Sequence, residues 1–172
     1  MAGLVANVAD LLHRPGARRR VVDRGTLDGL RVVASAVAPD AQVTVDATLE
    51  WVSDGILATG TVSAPWQAEC RRCLGPVRGE AHAQFQELYE PDAREGESYP
   101  LQGDRIDLAP LAREALLLEL PLAPLCRDDC QGLCPRCGAD LNAGACTCPS
   151  DSGDPRWAVL DALRPEGDDG VG

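Results

Sequence analysis

Six cysteines fall within 23 residues, Cys126, Cys130, Cys134, Cys137, Cys146 and Cys148, in the string CRDDCQGLCPRCGADLNAGACTC; an earlier pair, Cys70 and Cys73, stands in ECRRCL. Thiolates two residues apart can bend round one ion, and zinc accepts four of them in a tetrahedron. Cys134-Pro135-Arg136-Cys137-Gly138 is such a pair, followed by a glycine that permits the positive φ a tight turn often needs. Cys146-Thr147-Cys148 comes after an eight-residue gap, so Cys134, Cys137, Cys146 and Cys148 read as the main zinc site. Cys70 and Cys73 form another CxxC, and Cys126 and Cys130, four apart, share a face on a helical turn. A second quartet drawn from these two pairs would pin the last lobe onto the strands that carry Cys70. The expected cofactor is one Zn2+, or two where that quartet forms.

Other uses of the thiols fit less well. A redox CxxC opens a helix in a βαβ context, whereas Cys70 and Cys73 lie among predicted strands. A disulfide framework belongs to small secreted chains. Catalytic zinc wants an open coordination position and often histidine, and the histidines, His13 and His82, are far in sequence from the main cluster. No P-loop, GxGxxG, GxSxG or HExxH occurs. The expectation is a protein that is not an enzyme and has no small-molecule substrate; the alternatives are a thiol redox protein or sensor using Cys70 and Cys73, a metal-sensing regulator, and a direct RNA-binding protein.

Charge narrows the partners. All sixteen basic residues are arginine, and with the high Ala and Gly content this suggests a GC-rich, bacterial coding sequence. The net charge is -11, and all of it arises after residue 80. A broad nucleic-acid clamp is basic, because phosphate contacts dominate its affinity, so an extended grip on RNA is not expected. Two local contact points remain: Arg18, Arg19 and Arg20 beside Arg14, which read first as a solvated loop near the N-terminus, and Arg71 and Arg72 between the first two thiols, which read equally as a balance for thiolate charge. The segment Leu4–Leu12 is broken by Asp10, and its basic residues follow rather than precede it, which is not how a signal peptide reads. No stretch approaches a membrane span. The expected location is the cytoplasm.

These residues need a scaffold. Val43, Val45, Ala47, Leu49 and Trp51 alternate with polar residues, the period of a half-buried strand. Ser53-Asp54-Gly55 then signals a hairpin, with a returning strand over Ile56–Val62. A third strand is predicted from Trp66 into the cysteine knuckle, a fourth from Val77 to Tyr89, and a long loop over residues 90–104. Asp107-Leu108-Ala109-Pro110 opens a helix that Pro121 stops, with Leu111, Ala112, Ala115, Leu116 and Leu118 as its apolar residues. Residues 155–163 read as a short amphipathic helix before an acidic tail. The expected fold class is α+β, an antiparallel β-rich, barrel-like domain with one packed helix over residues 1–121, a cysteine-rich zinc lobe over 122–149, and the short helix and tail over 150–172.

ECRRCL at 69–74, IDLAPLAREALLLELPLAPLC at 106–126, CQGLCPRCGADLN at 130–142, CTC at 146–148 and DPRWAVLDAL at 154–163 resemble, in that order, the YceD family of large ribosomal RNA accumulation proteins. The resemblance implies a bacterial or plastid protein needed for accumulation of 23S rRNA, acting in its synthesis, processing or assembly, with ribosomal proteins, rRNA-processing factors or 23S rRNA itself as partners. Some members are similar around the first pair yet lack the later cluster, which sets Cys70 and Cys73 nearer to what the family shares.

Overall fold

The computed structural model of the chain describes residues 3–53, 55–144 and 146–148. The chain divides into two compact units, Met1–Gly132 and Leu133–Gly172.

The first unit is built on strands β1 (Val5–Asn7), β2 (Arg18–Gly25), β3 (Ser35–Ala36), β4 (Val43–Val52), β5 (Gly55–Glu69), β6 (Pro76–Glu90), β7 (Tyr99–Gln102) and β8 (Arg105–Asp107), with one helix among the described residues, α1 (Ala109–Glu119). The strands follow the order β1-β8-β7-β6-β5-β4-β2, with β3 paired to β5 off that path. All pairings are antiparallel except β6 with β7. The sheet is nearly closed into a barrel, and Arg19 on β2 reaches the Asn7 carbonyl of β1, joining its two ends.

The alternation in β4 works as its sequence predicts: Val43, Val45, Ala47, Leu49 and Trp51 are all buried in the core. The strand turns through Ser53 into β5, where Val52 stands opposite Gly55. The two strands expected at 56–62 and from Trp66 are in fact one strand, β5. Pro65 does not break it. Pairing with β4 ends at Ser63 and pairing with β3 begins at Gln67, so Pro65 falls where that side of β5 has no ladder to interrupt. Gly60 is needed for a close approach, because a Cβ there would lie 2.1 Å from the Asp46 carbonyl oxygen.

Two other expectations are corrected. Arg18, Arg19 and Arg20 lie on strand β2, not on a loop; the strand escapes notice because its alternation is between exposed and half-buried residues. The loop expected over 90–104 contains β7 and runs into β8, both too short to show a period. The helix starts and stops as Pro110 and Pro121 predict, and the Asp107 carboxylate accepts a hydrogen bond from the Ala109 N–H at 2.9 Å. It packs on β5 and β6 through Leu111, Ala112 and Leu116, whereas Leu118 points to solvent. The helix predicted over 155–163 and the acidic tail lie outside the described residues.

Candidate metal centres

β5 and β6 form one long hairpin, and Cys70 and Cys73 sit in its tip. The tip is a five-residue turn: the Leu74 N–H donates to the Cys70 carbonyl at 2.9 Å, and the Cys70 N–H donates to the Gly75 carbonyl at 2.7 Å. The chain after α1 returns to this tip. The Arg71 N–H donates to the Pro124 carbonyl at 2.9 Å, which brings Cys126 and Cys130 alongside. These two cysteines do not lie on a helix as their spacing suggested; they flank an irregular turn closed by a bond from the Cys130 N–H to the Arg127 carbonyl at 3.2 Å. Arg72 fastens this turn, donating to the Asp128 carbonyl at 3.2 Å and to the Cys130 carbonyl at 2.9 Å.

The four sulfurs of Cys70, Cys73, Cys126 and Cys130 lie within 4.8 Å of one another. Cys70 Sγ is 3.8 Å from Cys130 Sγ, and Cys73 Sγ is 3.6 Å from Cys126 Sγ. A tetrahedral ion with bonds of about 2.3 Å sets its sulfurs about 3.8 Å apart, whereas a disulfide needs about 2 Å. All eight cysteines are free thiols. The donor set therefore suits one divalent metal ion.

The second unit repeats the device. The Gly138 N–H donates to the Cys134 carbonyl at 2.9 Å and the Cys134 N–H to the Ala139 carbonyl at 2.8 Å, the same two bonds as at the hairpin tip. Cys134, Cys137, Cys146 and Cys148 place their sulfurs within 4.8 Å of one another, with Cys134 Sγ 3.4 Å from Cys146 Sγ. The fifth residue of each turn has positive φ, 72° at Gly138 and 60° at Leu74.

Electrostatics follow the turns. The Cys73 N–H, with that of Arg72, holds the Cys70 thiol down at about 6 against the opposing effect of burial. The N–H groups of Cys137 and Arg136 bring Cys134 to about 6 in the same way. The opposite members are pushed up to about 12, Cys126 chiefly by Cys130 and Cys148 chiefly by Cys137, because neighbouring thiols resist a second negative charge. A divalent cation at the centre of such a group would take the place of those protons.

The remaining expected contact residues are placed differently. Arg18 pairs with Glu50 at 3.0 Å, Arg19 with Asp10 at 2.5 Å and Arg20 with Asp46 at 2.5 Å. The Arg20 guanidinium holds the Asp46 carboxyl below its usual value. Of Arg71 and Arg72, the second is occupied by the loop carbonyls and the first lines an open groove. His13 stands edge-on to Trp51 and His82 lies beside Glu80, so neither belongs to a cysteine group. Two further arginines of that groove, Arg31 and Arg78, were not singled out in the sequence; the signal that finds them is strand register.

A family model described as large ribosomal RNA subunit accumulation protein YceD matches residues 58–164. The chain belongs to this family. The YceD match begins in β5 and takes in all eight cysteines. An uncharacterized protein of Mycobacterium tuberculosis (strain ATCC 25618 / H37Rv) is 39% identical over 176 residues, covering 96% of this chain and 84% of that protein. Large ribosomal RNA subunit accumulation protein YCED homolog 1, chloroplastic, of Arabidopsis thaliana is 32% identical over 66 residues, 38% of this chain and 21% of its own. The Zea mays protein of the same description is 26% identical over 172 residues, 80% of this chain and 58% of its own. No solved structure matches. No helix among the described residues is long and apolar enough to cross a membrane.

Proposed function

We propose that this chain is a bacterial, cytoplasmic, non-enzymatic accessory factor for 23S rRNA accumulation and large-subunit assembly, with both cysteine quartets holding zinc as a structural ion. The observation that carries the reading is the family match, which spans both quartets. Four thiolates close a tetrahedral shell and leave no position for substrate, which supports a structural ion over a catalytic one. The negative charge concentrated after residue 80 suits a basic partner, a ribosomal protein or an rRNA-processing factor, that the protein brings to the RNA.

The test is made in a bacterial strain depleted of its own family member. Expression of this chain is expected to restore the 23S to 16S rRNA ratio, and native pull-down is expected to recover large-subunit proteins. Restored growth with an unrepaired ratio overturns the reading. Metal analysis of the same sample is expected to give two zinc ions per chain. A fast-reacting thiol at Cys70 or Cys73 that ignores chelator would instead favour the redox alternative.

A further inference from the structure

Most described arginines are already engaged, with carboxylates as Arg18, Arg19 and Arg20 are, or with backbone carbonyls as Arg72 and Arg113 are. Among the described residues, the side chains of Arg24, Arg31, Arg71 and Arg78 make no hydrogen bond or ion pair. Three of these four line one groove of about 610 Å³ in the first unit.

Strand register puts them there. Arg31 bridges Ala36, Ala36 on β3 stands opposite Gln67 on β5, and Gln67 stands opposite Arg78 on β6. Directly opposed residues project from the same face. Arg31 and Arg78 thus stand on one face, three strand spacings or about 14 Å apart. Arg71 enters from the hairpin tip, its backbone fixed by the bond to Pro124. One acid, Glu69, shares the lining with these three arginines.

The rim is apolar. Val33 is 99% exposed and Leu74 is 61% exposed. Leu74 also has φ 60°, a conformation costly for any residue with a Cβ. Leu74 thus presents an exposed apolar side chain from a conformation that the equivalent turn gives to glycine.

We propose that this groove binds a short single-stranded segment of RNA, with Arg31, Arg71 and Arg78 on successive phosphates and Leu74 and Val33 against a base or sugar. The inference rests on the reading of the protein as an rRNA factor. Planar guanidinium forks suit phosphate, and three of them spread across a face suit a repeating anion better than a single carboxylate. A chain of net charge -11 would repel the second phosphate row of a duplex, which limits the contact to one strand.

The test is fluorescence anisotropy with a labelled oligouridylate of roughly a dozen nucleotides, using the zinc-loaded full chain at about 50 mM salt. The triple variant Arg31→Gln, Arg71→Gln, Arg78→Gln is expected to bind about tenfold or more weakly. Its log–log salt slope is expected to be shallower by about 2, at about 0.7 per lost phosphate contact. Arg24→Gln removes an equally unpaired arginine outside the groove and is expected to bind as the parent does. Thermal melts and zinc content confirm that each variant is folded. Equal loss in Arg24→Gln and the triple variant would mean diffuse charge and overturn the inference. So would failure of the parent to bind the oligonucleotide, or tighter binding of an oligoglutamate peptide that the triple variant loses, which assigns the groove to an acidic protein. Complementation separates the two levels. A triple variant that restores 23S rRNA and binds RNA as the parent does sinks the groove alone, whereas a parent that does not restore it sinks the functional reading.

Discussion

Two five-residue turns carry the first two cysteines of each quartet, and they differ in their last residue. Glycine at 138 adopts positive φ at no steric cost, and Leu74 adopts it against the contact of its Cβ with the following carbonyl. That contact costs roughly 1–2 kcal/mol, and glycine's extra freedom in the unfolded chain returns about 0.5–1 kcal/mol of it. Leu74→Gly is therefore expected to raise stability by up to about 1 kcal/mol in urea denaturation, while weakening the oligonucleotide binding described above. A destabilised variant would mean that the leucine side chain packs for the fold. The thiols give a second residue-scale prediction. Cys70→Ser exchanges a soft thiolate for a hydroxyl that stays protonated. Zinc content is expected to fall from two ions to one, and Cys134→Ser is expected to do the same at the other quartet. A Cys70→Ser protein that still holds two ions would show that the quartets are not the sites.

The β5–β6 hairpin is the element that matters most, since one end is built into the core and the other presents the first knuckle. Its attachment depends on how closely β5 approaches β4. Gly60→Ala would place a Cβ 2.1 Å from the Asp46 carbonyl oxygen and 2.7 Å from the Ala47 Cα, both backbone atoms. A destabilisation of about 3 kcal/mol or more is expected, and a parent-like melting temperature would show that the strands can part freely. On α1, Leu116→Ala is expected to cost about 2–5 kcal/mol, and Leu118→Ala to change stability by less than about 0.5 kcal/mol. The helix was legible from its two prolines, but its buried face was not, because five apolar positions in a run of leucine and alanine are compatible with more than one face. β4 was legible in full because each of its faces meets a different medium. β2 was not, because neither of its faces is fully buried and so no apolar period marks it.

At the scale of the molecule, the proposed ions in the two quartets would stabilise in different ways. Cys73 and Cys126 are 53 residues apart, so an ion joining them closes a long loop on a unit that already has a large apolar core. In the second unit, Cys134 is the one buried residue among those described, and the first and third cysteines are 12 apart. The described part of that segment has little besides its cysteine group to order it, and a bound ion would do so as in small zinc modules. Hydrogen exchange is the measurement that separates them. Cys134→Ser is expected to abolish protection over residues 134–148. Cys70→Ser is expected to loosen residues 70–75 and 124–130 and to lower the melting temperature while leaving the core strands protected. Loss of core protection in Cys70→Ser would mean that the ion, not the apolar core, holds the barrel. The division expected at 121/122 and 149/150 stands as a proposal that limited proteolysis of the zinc-loaded chain tests.

Sequence alone marked out the candidate chemistry: thiols at CxxC spacing could hold a metal ion, because the turn that would close round it needs only local residues. It also carried the family, through motifs laid out in order along the chain. Which cysteines converge was different in kind, since Cys126 and Cys130 meet Cys70 and Cys73 only through the return of the chain after α1. The same holds for the arginines. Arg18 and Arg20 look available in a basic run, yet each is neutralised by an acid 32 or 26 residues away across β4, while Arg31 and Arg78 look unremarkable and are left without partners on one face. Whether a charge is available to a partner depends on what stands opposite it across the sheet, and register is a property of the folded chain.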